Sequence, residues 1–148
     1  MANAATIIIT IGVFSLTAAP SASGDRCLAE MRSAVAIGKV SGSISCNRGK
    51  ATFRLVGRTA GKGYDVYDYR YRFMAANVMH GGQRIVIFRA RTYVGRYMLA
   101  TPPFTTMAVR GGHLVLSTGS TVRKVELDLS KSLPGSILVN GEEERFDR

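Results

Sequence analysis

No charged side chain occurs in the first 24 residues, so all 20 basic and all 10 acidic groups of the 148-residue chain lie from Asp25 onward. The same opening lacks the roughly twenty consecutive apolar residues that a bilayer-spanning helix needs. Its apolar run, residues 7–16 (IIITIGVFSL), gives way to Pro20, Ser21 and Ser23, which makes a permanent membrane span there the weaker reading. A short apolar run followed by small residues (TAAPSASG) is the pattern of a cleavable signal peptide, here residues 1–23. The leading MANAAT has no Lys or Arg, although such a charge normally orients insertion. A start codon upstream of Met1 is the expectation that follows. An ordinary apolar first helix is the alternative reading. Arg26, not a small apolar residue, precedes Cys27, so lipidation of that cysteine is not expected.

Cysteine is scarce too. There are two, with no C-x-x-C spacing and no His between or beside them, which argues against a redox pair and a zinc site. Export delivers Cys27 and Cys46 to an oxidising compartment, where a disulfide is expected. Closing that loop contributes roughly 3 kcal/mol through the unfolded state. Residues 24–148 suffice for one basic, β-rich domain with a real core and not for two.

Local catalytic motifs are missing. Residues 57–63 (GRTAGKG) place three residues between the first two glycines and Gly after the Lys, so they are a basic turn and not a phosphate loop. No Ser sits in a nucleophile elbow, and no Ser-x-x-Lys occurs. Asp65 and Asp68, three apart on a strand, point to opposite faces. His80 and His113 each adjoin a Gly-Gly pair and are expected at exposed turns, too few for a metal centre. No cofactor and no metal are therefore expected.

What is present is alternation. Residues 25–37 space Leu28, Met31 and Val35 as a short helix that stops at Gly38. The rest reads as nine or ten short strands. Residues 40–46 and 51–57 are expected to pair across a turn at residues 47–50. Further strands are expected at residues 64–73, 85–88, 93–99, 105–110, 113–117, around Val125 to Leu129, and at residues 137–139 and 142–146. Residues 85–88 (IVIF) are apolar at every position, as a strand covered on both faces requires. Gly95 marks a bulge or a close approach, and Asn140-Gly141 a type I′ hairpin turn. The fold class is all-β, an antiparallel meander forming a small barrel or sandwich, with one short N-terminal helix.

Acids are absent from residues 69–125, which carry nine basic residues. That one-sided field favours anionic partners. In residues 67–73 the aromatic side chains share one face while Asp68, Arg70 and Arg72 share the other. Arg89 and Arg91 share a parity, and with Arg70 and Arg72 they form the candidate anion-binding patch. The expected function is an exported, non-catalytic binding module, periplasmic or secreted, that recognises an anionic envelope component or a protein partner. Nucleic acid is not an expected partner. A carrier with an apolar barrel interior is the first alternative, and a hydrolase without a local motif the second. Intact-mass analysis of the expressed protein should find a mature chain cut after Ser21, Ala22 or Ser23. A product that still begins at Met1 refutes both cleavage and the upstream start.

Overall fold

The computed structural model describes residues 23–34, 44–46, 50–99, 104–118 and 123–148. The expected signal peptide up to residue 22, the Gly38 stop and most of the expected strand at residues 40–46 lie outside the described residues. Helix α1 spans Ser23–Ala34, and strands follow at β1 (Lys50–Arg58), β2 (Tyr64–Ala75), β3 (Val78–Arg89), β4 (Thr92–Leu99), β5 (Thr106–Arg110), β6 (His113–Thr118), β7 (Arg123–Asp128), β8 (Ser136–Val139) and β9 (Glu142–Asp147). Among the described residues the architecture is all-β and antiparallel with a single short helix, as the alternation required. Among the described residues, no helix is long and apolar enough to cross a membrane.

The strands form a six-stranded sheet, ordered β1-β2-β3-β4-β9-β8, and a three-stranded sheet, β5-β6-β7. One face of the large sheet packs against the small one, burying Tyr64, Val66, Ile85, Ile87, Tyr97 and Leu99 against Met107, Leu114, Leu116 and Leu129. The opposite face carries Tyr67, Tyr69, Val86 and Phe88, covered by Cys27 and Ala34 of α1 and by Ile44 and Cys46. Residues 85–88 are therefore fully buried at every position, because each face of β3 has its own cover. On the helix side, Phe53 stacks on Tyr67 with centroids 4.7 Å apart, and Phe88 meets Tyr67 edge-on at 5.4 Å.

Helix α1 presents Cys27, Met31 and Ala34 to this cluster, a spacing that keeps them on one helical face. The Cys27–Cys46 disulfide, with Cα atoms 5.7 Å apart, fixes the helix to the chain ahead of β1. Just before it, the buried Tyr69 hydroxyl donates to Ser45 O (2.8 Å) and accepts from Ser45 N (3.1 Å). Residues 44–46, the described end of the first expected strand, are irregular chain and not strand, and β1 pairs with β2 among the described residues. The reason lies in Tyr69 and the disulfide: both hold residues 44–46 above the sheet face, not in its plane.

Two bulges shape the large sheet. Val56 is the extra residue between the Leu55–Tyr67 and Gly57–Val66 pairs, and a Cβ on Gly57 would stand 2.9 Å from Val109 Cβ, so glycine there lets β5 approach β1. Val94 is the extra residue opposite the Ile87–Phe88 step. Beside it, a Cβ on Gly95 would collide with the Phe146 ring and lie 2.6 Å from Asp147 O. Gly95 is thus both bulge and close approach, and it admits β9 beside β4. At one end of the sheets, Ala60 N donates to Gly111 O and Leu129 N to Gly112 O, each at 2.9 Å. The basic turn at residues 57–63 is tied there to the β5–β6 turn. Within the core, burial pushes the Tyr97 phenol far above its ordinary pKa, and its hydroxyl donates to Pro134 O at 2.7 Å.

Replacing Gly95 with Ala should cost about 2 kcal/mol of unfolding free energy, since Phe146 and the β9 backbone must both shift. Denaturant titration measures it. An unchanged midpoint would show that β9 does not rest on this contact.

Candidate functional site

The turn joining β2 to β3 is Ala76-Asn77, with φ of 47° and 61°. His80-Gly81-Gly82 lies inside β3, not at a turn as expected, because Tyr71 leans across the ladder there. A Cβ on Gly82 would stand 2.8 Å from the Tyr71 hydroxyl oxygen, and one on Gly81 2.7 Å from Tyr71 O. Among the described residues, β1 reaches no farther along β2 than Arg72, and β4 no farther along β3 than Gln83. Beyond those points β2 and β3 continue as a two-stranded arm, pairing Phe73 with His80, Met74 with Met79 and Ala75 with Val78.

Cross-strand register assembles a basic patch at the root of this arm. Lys50 lies opposite Arg72, Thr52 opposite Arg70 and Arg54 opposite Asp68, and directly opposed residues share a face. Four cations thus stand within about 14 Å along two neighbouring strands, with one carboxylate among them. Asp68 is 3% exposed, 2.7 Å from the Arg70 guanidinium and 3.8 Å from that of Arg54. Lys50 and Arg72 both face solvent as a directly opposed like-charge pair, which the sheet bears at a cost. The Phe104 ring lies against both guanidinium groups, 4.6 Å from Arg72 and 5.3 Å from Arg70.

Of the four arginines expected to form one patch, Arg70 and Arg72 come together and Arg89 and Arg91 do not join them. Arg89 pairs with Tyr64 while Arg70 faces Gln83. Those positions are six apart on β3, about 20 Å. Arg91 sits in the β3–β4 turn with φ 64°. Antiparallel pairing sends the end of β3 back to the start of β2, so shared parity did not mean proximity. Lys50 and Arg54 take their places. Their signal was in the sequence, because Lys50, Thr52 and Arg54 alternate with Ala51 and Phe53, but reading Lys50 as part of a turn hid it.

Beneath the patch is a buried polar network. Gln83 Nε2 donates to Asp68 Oδ1 (2.9 Å) and to Thr105 O (2.7 Å), while Thr105 N donates to Gln83 Oε1 (2.7 Å). Arg70 Nη2 also donates to Thr105 O, at 3.0 Å. The amide of Gln83 therefore pairs with a peptide as a neighbouring strand would, and holds the chain where it leaves the large sheet to begin β5.

The other face of the arm is aromatic. Tyr71 stacks on Phe73 (6.2 Å, 17°) and Phe73 on His80 (5.3 Å, 21°). Arg84, 6% exposed, lies 5.4 Å from the Tyr71 ring and 5.8 Å from that of Tyr69. His113 Nδ1 is 3.3 Å from Glu126 on the small sheet, remote in the fold from His80. Among the described residues, no three His, Cys, Asp or Glu side chains gather to hold a metal ion. No family model, curated protein or solved structure matches this chain.

Replacing Gln83 with Leu should destabilise the protein by about 2–4 kcal/mol, since it strips a donor from a buried carboxylate and leaves the Thr105 N–H without its acceptor. Hydrogen exchange at the Thr105 amide should accelerate in parallel. A loss under about 0.5 kcal/mol would mean that water replaces the amide without penalty.

Proposed function

We propose that the chain is an exported, non-catalytic binding module, periplasmic or secreted, that recognises an anionic envelope component through the patch of Lys50, Arg54, Arg70 and Arg72. The observation that carries this reading is the directly opposed, solvent-facing Lys50 and Arg72. Like charges so placed weaken the sheet, and a bound anion turns that repulsion into attraction. Phe104 supports the reading by packing against the Arg72 and Arg70 guanidinium groups, which lowers the ordering cost of binding. Export is supported by the Cys27–Cys46 disulfide, a bond at home in an oxidising compartment. The inward positions between the sheets hold the core side chains of Val66, Ile87 and Leu114, so no observation specifically favours a carrier.

Immobilised heparin serves as a lipid-free polyanion to test the patch. Changing Lys50, Arg54 and Arg72 together to Gln should weaken retention about 100-fold in affinity at low salt, at about 1 kcal/mol per cation near an anionic surface. Arg70 is left in place because it braces Asp68 and Thr105. Changing Arg89 and Arg91 to Gln should alter affinity about threefold or less, as expected for long-range charge alone. Equal losses in the two variants would reduce the patch to general basicity.

A further inference from the structure

The arm ends in apolar side chains that serve no core. Phe73 is 38% exposed, Met74 and Met79 are each 59% exposed, and Val78 is 56% exposed. Their arrangement is informative. Phe73 and Val78 share the face of His80 and Ala75, while Met74 and Met79 occupy the opposite face, so both faces of the tip carry exposed apolar side chains behind the Ala76-Asn77 turn. A protein groove that covered one face would leave the other in water. A lipid interface surrounds both.

We propose that the β2–β3 arm inserts its tip into the interfacial region of an anionic phospholipid bilayer, with the basic patch bound to the headgroups behind it. This rests on the anion-binding reading above and adds the identity of the partner. Distances along the arm fit. From the turn, the Met74–Met79 pair lies about 7 Å back and the Phe73–His80 pair about 10 Å, which spans the 5–10 Å depth that interfacial segments reach. Phe73 then falls where aromatic rings settle at the headgroup boundary. Lys50 and Arg72 follow at the level of the phosphates, where long cationic side chains rest their stems on apolar surface and keep their heads in water. The inward N–H and C=O groups of the arm pair across the β2–β3 ladder, and the outward ones remain at a depth that water still reaches. Charge favours the approach, since residues 69–125 contain no acid.

The chain has no Trp, so Val78→Trp places a single reporter at the tip. Added to vesicles of equal parts phosphatidylcholine and phosphatidylglycerol, this variant should show a blue-shifted emission, and with phosphatidylcholine alone it should not. In co-sedimentation with the same anionic vesicles, Met74→Ser with Met79→Ser should bind about 10-fold or more weakly than the unaltered chain, with heparin retention unchanged. Circular dichroism of both variants should match the unaltered chain, because the positions are exposed. Emission that stays at the wavelength of water, or full vesicle binding by the double Ser variant, overturns insertion while leaving the anion-binding reading intact if heparin still retains the protein. Loss of heparin retention in the unaltered chain would overturn both.

Discussion

Along the buried half of the β2–β3 ladder, from Tyr64 to Tyr69 and from Gln83 to Phe88, every residue on both faces of the sheet is buried. Every polar group admitted there must find a partner inside the protein. Two of them do so in the same manner, on opposite faces. The Tyr69 hydroxyl engages both the N–H and the C=O of Ser45, and the Gln83 amide engages both groups of Thr105. Each clamped peptide belongs to a segment that carries a cover. Ser45 adjoins Cys46, whose disulfide brings α1 over one face, and Thr105 leads into the small sheet that covers the other. The double burial of this ladder and the two side chains that fasten its covers are mutually dependent.

The same two strands lose their covers at Arg72 and Gly81, and there the chain departs from local rules in several ways at once. A like-charge pair faces solvent, Ala76 adopts a positive φ that alanine occupies at a cost, and four large apolar side chains stand in water. The strained alanine is not confined to this turn, since Ala90 in the β3–β4 turn also has φ 47°, whereas the Asn140-Gly141 turn takes φ of 56° and 87° with residues that suit them. Departures from local consistency concentrate where a surface is shaped for something other than stability, and apolar exposure rimmed by charge has the character of a contact site.

Much of the fold was legible because alternation and turn chemistry act over a few residues. The fully apolar central strand, the role of Gly95 and the division of residues 67–73 into an aromatic and a charged face all follow from local pattern, whereas the disulfide followed from the compartment that the opening of the chain implies. The site was less legible because it depends on pairing between strands. Parity told that Arg70 and Arg72 share a face, but only register could tell that Lys50 and Arg54 join them while Arg89 runs to the far end. Gly81-Gly82 misled for a related reason. Glycine marks both turns and places of close approach, and what decides here is a Tyr71 ring on the neighbouring strand.

A two-stranded ribbon is marginal by itself in water, so an arm of this kind presents a definite surface only if its base is rigid. The base here is rigid on both sides. Tyr71, Phe73 and His80 continue a line of rings that begins at the buried Tyr69, while on the other face Arg72 rests on Phe104, next to the Thr105 that Gln83 holds. Stiffness is thus conducted from the core along both faces to the root of the tip. A preformed arm loses little conformational freedom on contact, so a larger share of the interaction free energy appears as affinity. The clamps that close the core are therefore also what make the exposed end of the ladder usable as a binding element.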